Sequence, residues 1–389
     1  PLLGLYSGRT ELLPHQLYIA HEVAQRAKPR VLLSDEVGLG KTIEACLILQ
    51  QQLFNGLASR VLILVPENLL HQWLVELLRR FNLRFTILDQ ERCEALTEHE
   101  AVNPFESDQL ILCSRDFLSS NPRWQQHALQ SNWDLLILDE AHHLLATSEQ
   151  TEGNQALYQM ASKFSETTAG MLLLTATPDQ AGLASHFALL QLLDPHRFHD
   201  FSAFVSEQQR FHELAALLDP LLIFETLEAE ARNQLLQKLH EFAADAALQQ
   251  ELAALGKGEA EALSVQKEKV LQALLDRHGT GRIVFRNTRK HISGFPERKL
   301  LMQALELPEL YQAHPELLHP ELAYLEHSQW LKEDPRIAYV HQLLRTHSGS
   351  KFLLICHSSA TAQALEAFLR LQRGIRSAVF HENLSLIER

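Results

Sequence analysis

The sequence predicts an α/β fold in which a parallel sheet is covered by helices on both faces. Apolar runs at 31–33, 61–65, 110–113, 135–138 and 171–174 are short and nearly uninterrupted, as strands buried on both faces read. The stretches between them have helical character and are long enough to serve as crossover connections. Three of the runs end in polar residues: SDEVGLGKT follows the first, DEAHH the fourth and TATP the fifth.

The first run breaks into a turn that closes on Lys41-Thr42, where a helix over 42–54 should begin. Such a turn builds a phosphate cradle. Gly38 and Gly40 let backbone N–H groups face inward without a Cβ in the way, and the helix N-terminus adds its dipole. Lys41 would then reach the β- and γ-phosphates, and the Thr42 hydroxyl would sit on magnesium. Asp35 stands where the pattern GxxxxGK[ST] asks for glycine, so a strict match fails, and glycine-rich turns before helices also occur without a ligand. The run at 61–65 leads to a helix over 68–81, with Asn68 as its expected N-cap.

The run at 135–138 passes straight into Asp139-Glu140. Two carboxylates at the end of a buried strand are costly unless a cation or a reacting water uses them. Beside a phosphate cradle, Asp139 would hold magnesium through its water shell, and Glu140 would orient and deprotonate the attacking water. The run at 171–174 ends in Thr175-Ala176-Thr177.

Beyond this region the pattern changes. The chain over 227–276 is rich in Ala, Leu, Glu and Gln, with Leu235, Leu236, Leu239 and Phe242 at helical spacing. Gly256 and Gly258 predict two helices joined there by a turn; they either pack on the preceding lobe or form a protruding arm. Pro296, Pro308, Pro315, Pro320 and Pro335 mark an irregular connector. Then a second alternation opens: a helix at 336–346, a strand at 352–356, a helix at 360–370 and a strand at 377–380. A complete lobe of that kind needs roughly 100 residues or more, so this one is expected to be truncated. The expected domains are therefore 1–224, a first lobe; 225–280, a helical insertion; 281–335, a return to the first lobe and a connector; and 336–389, the start of a second lobe.

Composition bounds the function. With 46% hydrophobic residues the chain can bury substantial cores, and no apolar run approaches the roughly 18 residues of a membrane span. The start, PLLGLYSGRTELLPHQ, lacks a secretory pattern. Cys46, Cys93, Cys113 and Cys356 are widely spaced without a CxxC pair, which fits reduced thiols in a cytosol. The net charge of −13 argues against a uniformly basic, nucleic-acid-binding surface. Arg79-Arg80, Arg84, Arg282, Arg286, Arg289, Lys290, Arg298 and Lys299 are either local basic patches or an ordinary solvated face. His196 and His199 have a metal-like spacing but lack a third ligand in reach.

DEVGLGKT, DEAHH and TATP, in that order, resemble motifs I, II and III of helicase superfamily two, and the opening Asp-Glu is the form of the Swi/Snf helicase-like ATPases. LILVPENLLHQW resembles motif Ia and LILCSRDF motif Ib. RIVFRNTR, GFPERK, KFLLICHSS and AVFHENLSLIER resemble most the bacterial, RNA polymerase-associated branch of that family. The resemblance implies two RecA-like lobes, ATP and magnesium as cofactors, and a nucleotide site over Asp35, Glu36, Val37, Gly38, Leu39, Gly40, Lys41 and Thr42. It implies that Gln16, in LLPHQ, reads adenine, and that His142, Thr175 and Thr177 couple the nucleotide site to movement.

The same resemblance implies a cytoplasmic, nucleoid-associated monomer that works on DNA or RNA and on core RNA polymerase, freeing the polymerase for reuse without separating strands. Family arginines that stabilise the transferred phosphoryl group belong to motifs after 389, so this chain is expected to bind ATP and hydrolyse it slowly. A DEAH-type RNA helicase and a non-catalytic polymerase-binding module are the alternatives. Strand displacement separates the first, and the intact Lys41, Thr42, Asp139 and Glu140 speak against the second.

Overall fold

The computed structural model describes residues 12–98, 102–144, 152–176, 182–243, 246–257, 266–271, 273–274, 282–290, 292, 299–312, 317–325, 329–381 and 384. The chain divides into two compact units, Pro1–Phe295 and Pro296–Arg389.

The first unit is built on β1 (Arg30–Leu33), β2 (Val61–Val65), β3 (Thr86–Leu88), β4 (Leu110–Ser114), β5 (Leu135–Leu138), β6 (Gly170–Leu174) and β7 (Val284–Phe285). They form one sheet in the order β3-β4-β2-β5-β6-β1-β7, and every pairing is parallel. This is the RecA-like α/β lobe that the apolar runs predict. Side chains alternate between its two faces. Val31, Leu33, Val61, Ile63, Val65, Ile137 and Leu172 pack on one side against α1 (Pro14–Ala24), α2 (Lys41–Phe54) and α3 (Leu70–Phe81). Leu32, Leu62, Leu64, Leu136, Leu138 and Leu173 pack on the other against α4 (Gln90–Thr97), α5 (Arg115–Ser120), α6 (Pro122–Leu129), α7 (Glu152–Thr167) and α8 (Gly182–Leu193). Both sets are closed from water, which is why the strands read as continuous apolar runs instead of alternating ones.

Two short strands escape the sequence pattern, β3 and β7, because two or three residues carry no measurable period. The N-terminus of α3 also differs from expectation. Asn68 lies inside a 3₁₀ turn, Glu67–Leu69, and the N-cap is Leu69, whose side chain accepts no bond.

After α8 come α9 (Phe201–Leu222), α10 (Ala229–His240) and α11 (Ala246–Lys257), with further helical residues at 266–271 and 273–274. α10 ends at His240 and α11 begins at Ala246, a break that no glycine announced; α11 runs through Gly256 and ends at Lys257, and the turn expected at Gly256 and Gly258 reaches into residues outside the described ones before helix resumes at 266. Leu214, Leu221, Phe224, Leu235, Leu239, Phe242, Leu252 and Leu255 form a core of their own, distinct from the two cores that flank the sheet. The insertion thus buries its apolar stripes against α9 as well as against itself.

The second unit holds two 3₁₀ turns, Glu309–Tyr311 and Pro320–Tyr324, then α12 (Trp330–Glu333), α13 (Pro335–Thr346) and α14 (Ser359–Ala367), which continues as a π turn, Phe368–Gln372. Trp330, Leu331, Ile337, Leu365, Phe368 and Leu369 are its core. The predicted strands at 352–356 and 377–380 are absent as strands: both segments make no ladder, and Leu353, Ile355 and Phe380 are exposed. Apolarity marks a segment that gains by burial, whereas a strand also needs a hydrogen-bonding neighbour.

Candidate active site

The sheet order sets β5, β6 and β1 side by side, so the segments leaving their carboxyl ends meet. In open parallel sheets this is where ligands bind. After Leu33 the chain follows β7 a little further: Ser34 N–H donates to Phe285 O at 2.8 Å and Glu36 N–H to Asn287 O at 3.0 Å. It then turns through Gly38 (φ 84°) and Gly40 (φ 95°), left-handed conformations that glycine adopts without strain. Gly40 is also the N-cap of α2 and offers no side chain to the first turn. The N–H groups at that helix start are therefore available to an anion, and α2 adds its dipole. A Cβ at Gly40 would run into Gln16 Nε2, and one at Gly38 would lie 2.6 Å from Arg289 Nη2. Lys41 Nζ donates to Asp35 O at 2.9 Å, folded over the loop that a phosphate would fill.

Gln16 braces this loop from behind. Its Nε2 donates to Leu39 O at 2.9 Å and its Oε1 accepts from Leu13 N at 3.1 Å. His15 Nε2 lies 3.2 Å from Leu39 O, 3.5 Å from Glu44 Oε1 and 3.6 Å from Asp35 Oδ2. Burial, followed by the neighbouring Asp35, pushes the Glu44 carboxyl up to about 10, so Glu44 is neutral near pH 7 and no bare charge is stranded in the cluster.

The loop's acidic residues are spoken for. Asp35 accepts from Asn287 N at 2.8 Å and from Asn287 Nδ2 at 3.0 and 3.1 Å. Glu36 Oε2 accepts from Arg289 N at 3.0 Å, and Arg289 Nη2 donates to Val37 O at 2.5 Å. Asp35 and Glu36 therefore contribute backbone to the loop, while their carboxylates fasten it to the chain after β7. Val37 is exposed and Leu39 buried, so the loop presents one edge outward and anchors the other.

At the end of β5, Asp139 is buried. Its Oδ2 accepts from Trp73 Nε1 at 2.8 Å and its Oδ1 from Glu140 N at 2.8 Å. Burial nevertheless raises its pKa, outweighing those two donors; a cation would relieve the same penalty, so the group fits a metal ligand. Glu140 has φ 50°, unusual for a residue with a Cβ. Its Oε2 lies 3.2 Å from His142 Nδ1, and that hydrogen bond foremost holds its carboxyl below the ordinary range. An ionised carboxylate on a strained turn suits proton acceptance from water. Arg115 Nη1 donates to Asp139 O at 3.2 Å and Glu140 O at 2.9 Å.

Thr42, in the first turn of α2, is half-buried. Thr175 closes the space between β5 and β1: it is fully buried and its N–H donates to Leu33 O at 3.0 Å. Thr177 lies outside the described residues. His199 Nδ1 contacts His196 O at 2.9 Å, so that pair is joined through a backbone carbonyl. Sequence reasoning gave no part in the site to Trp73, Arg115, Asn287 and Arg289. Their partners lie 24 to 253 residues away, and no local pattern encodes such pairings.

Comparison with known proteins assigns the chain to a family. A family model described as SNF2-related domain matches residues 17–309. The chain is 46% identical over 410 aligned positions to RNA polymerase-associated protein RapA of Klebsiella pneumoniae (strain 342), a match that takes in 100% of this chain and 41% of that protein's length. The solved structures that it matches include two from one organism. They are the Sulfolobus solfataricus SWI2/SNF2 ATPase core in complex with dsDNA (TM-score 0.46, 17% identity, 74% of this chain and 47% of that one) and the same organism's SWI2/SNF2 ATPase core domain (TM-score 0.45, 18% identity, 75% and 46%). The family match covers the glycine loop, the acidic pair and β7, and the chain accordingly belongs to the SNF2-related domain family of Swi/Snf-type ATPases.

Proposed function

We propose that the protein is an ATP-dependent nucleic-acid translocase of the Swi/Snf type that acts on RNA polymerase and releases it for reuse. One observation carries the chemistry: the glycine loop with Lys41 and the pair Asp139-Glu140 stand at the carboxyl ends of β1 and β5, one strand apart. The polymerase part of the proposal is supported by the name of the relative, an RNA polymerase-associated protein.

In this reading the uncapped start of α2 and the loop N–H groups bind the phosphates, and Lys41 exchanges Asp35 O for phosphate oxygens. Thr42 and Asp139 hold magnesium, which neutralises charge on the phosphates when bound. Glu140 takes a proton from water. Gln16 keeps one amide hydrogen and one lone pair for adenine while bracing Leu39. His142, Thr175 and Thr177 pass the state of the site to the rest of the molecule. The first lobe spans 1–224 with the insertion at 225–280, the chain returns to it within 281–335, and 336–389 opens a second lobe. The protein acts as a cytoplasmic, nucleoid-associated monomer on DNA or RNA. On its own this chain turns ATP over slowly, because the family's transition-state arginines lie in motifs other than those matched here; an arginine of that kind is worth about 10³ to 10⁵ in rate.

Titration with magnesium-ATP and a turnover assay with and without duplex DNA test the proposal. Lys41→Ala should weaken binding at least about tenfold, the loss of one good charged contact. Glu140→Gln should bind as tightly as wild type and lose turnover. Core RNA polymerase should be retained stoichiometrically in co-purification. A wild-type chain that binds no nucleotide would overturn the chemistry, and one that binds nucleotide but no polymerase would overturn the partner.

A further inference from the structure

The acidic pair is held by a residue two strands away. Arg115 is the first residue of α5, directly after β4, and β2 lies between β4 and β5. Strands sit about 4.8 Å apart, so a side chain from β4's end must cross roughly 10 Å to meet the end of β5. Arg115 makes that crossing while buried, and one nitrogen, Nη1, donates to both Asp139 O and Glu140 O. Those two carbonyls belong to the peptides on either side of Glu140. Glu140 has φ 50°; the other described non-glycine residues with positive φ are Asn82 and Asn132, a type that tolerates this conformation. A glutamate does not, and it persists there only if its surroundings fix it. The turn has a purpose: it directs Asp139 to Trp73 and Glu140 to His142, so the two carboxylates diverge to different tasks. The ion-pair partner of Arg115, Asp116 at 3.7 Å, is half exposed and does not need the arginine for its own solvation.

We propose that Arg115 is a positioning residue for the hydrolysis step, fixing the left-handed Asp139-Glu140 turn through its two carbonyls without touching nucleotide. This rests on the ATPase reading above. Arg115→Met keeps the length and removes the donors; Arg115→Lys restores a single donor.

The test pairs steady-state ATP turnover and nucleotide titration with amide hydrogen exchange resolved by segment. In the methionine variant, nucleotide affinity should stay within about twofold. Turnover should fall about 10- to 100-fold, the scale of a sub-ångström to ångström misplacement, and lysine should recover part of it. Exchange over 139–143 should accelerate at least tenfold while α2 is unchanged. Unchanged turnover, or unchanged exchange over 139–143, overturns the role of Arg115. If the wild type neither binds nor hydrolyses ATP, the ATPase reading fails instead, and the exchange measurement still decides whether Arg115 holds the turn. Equal loss of affinity and turnover would mark a merely structural residue and would also sink the proposal.

Discussion

Gly40 is the residue at which the glycine loop admits least change. Two requirements coincide there: φ is 95°, and the space a Cβ needs is already taken by Gln16 Nε2. Gly56 offers the contrast, with φ 66° and no atom within 4 Å of the place a Cβ would occupy. Gly56→Ala should therefore cost only the left-handed penalty, about 1 kcal/mol. Gly40→Ala should cost that and also displace Gln16 from Leu39, giving about 2–3 kcal/mol in all. Thermal denaturation should show the larger fall for Gly40→Ala, and nucleotide titration should show lost affinity for that variant alone. The glycines, Lys41, Asp139 and Glu140 were legible as a candidate site because their chemistry is written in consecutive letters. Asp35 shows the limit: in the sequence it is a loop residue that violates a pattern, and in the fold its carboxylate is the anchor for Asn287, 252 positions away. Trp73 is likewise invisible as a partner of Asp139 until α3 is folded beneath the sheet.

At the scale of elements, what positions the site is the entry of strands at the far edge as much as their exits. Asp134 precedes β5, and its Oδ2 accepts from Ser59 N and Ser59 Oγ at 2.8 Å and from Arg60 N at 2.9 Å, pinning the start of β2 to the start of β5. Burial alone would raise its pKa, but the donors at Arg60 and Ser59 prevail and hold the carboxyl below its ordinary value of 3.8. A carboxyl depressed in the folded state contributes stability above its unfolded pKa and loses it as pH falls through the folded one. Asp134→Asn should thus lower the melting temperature at pH 7 by an amount that shrinks below about pH 4 and vanishes when the wild-type carboxyl is protonated. Because the group is only partly buried, the effect at neutral pH should be about 1 kcal/mol. Denaturation of both proteins between pH 3 and 7 measures it; a gap that widens on acidification would contradict the sign. The five longer strands could be read in advance since each is a run of three to five buried residues. β7 could not, and yet it carries the residues that clamp the loop. Nor was the separation of α10 from α11 legible, because no glycine or proline marks it, and the core there joins α9, α10 and α11.

The molecule as a whole divides into two units that answer to different stresses. The glycine loop and the acidic pair lie in Pro1–Phe295, whereas Pro296–Arg389 has its own packing around Trp330 and Phe368. The second unit hangs on Asp334, which is 1% exposed. That carboxylate caps α13 by accepting from Arg336 N at 2.8 Å, accepts from Tyr311 Oη at 2.9 Å, and pairs with Arg336 Nη2 at 2.6 Å. Asp334→Ala removes a helix cap and leaves a buried tyrosine hydroxyl and a half-buried guanidinium without this partner. Each such loss costs about 1–2 kcal/mol, for a total near 2–4 kcal/mol because they share one side chain. A unit with so small a core should then unfold before the first one. Calorimetry should show its transition moving down while that of the first unit stays in place. Saturating magnesium-ATP, at about 100 times its dissociation constant, should raise the first transition by the equivalent of about 2.7 kcal/mol and leave the Asp334→Ala transition where it was. If instead both transitions moved together under either change, the two units would fold as one cooperative body, and nucleotide binding would be felt directly in the packing around Trp330.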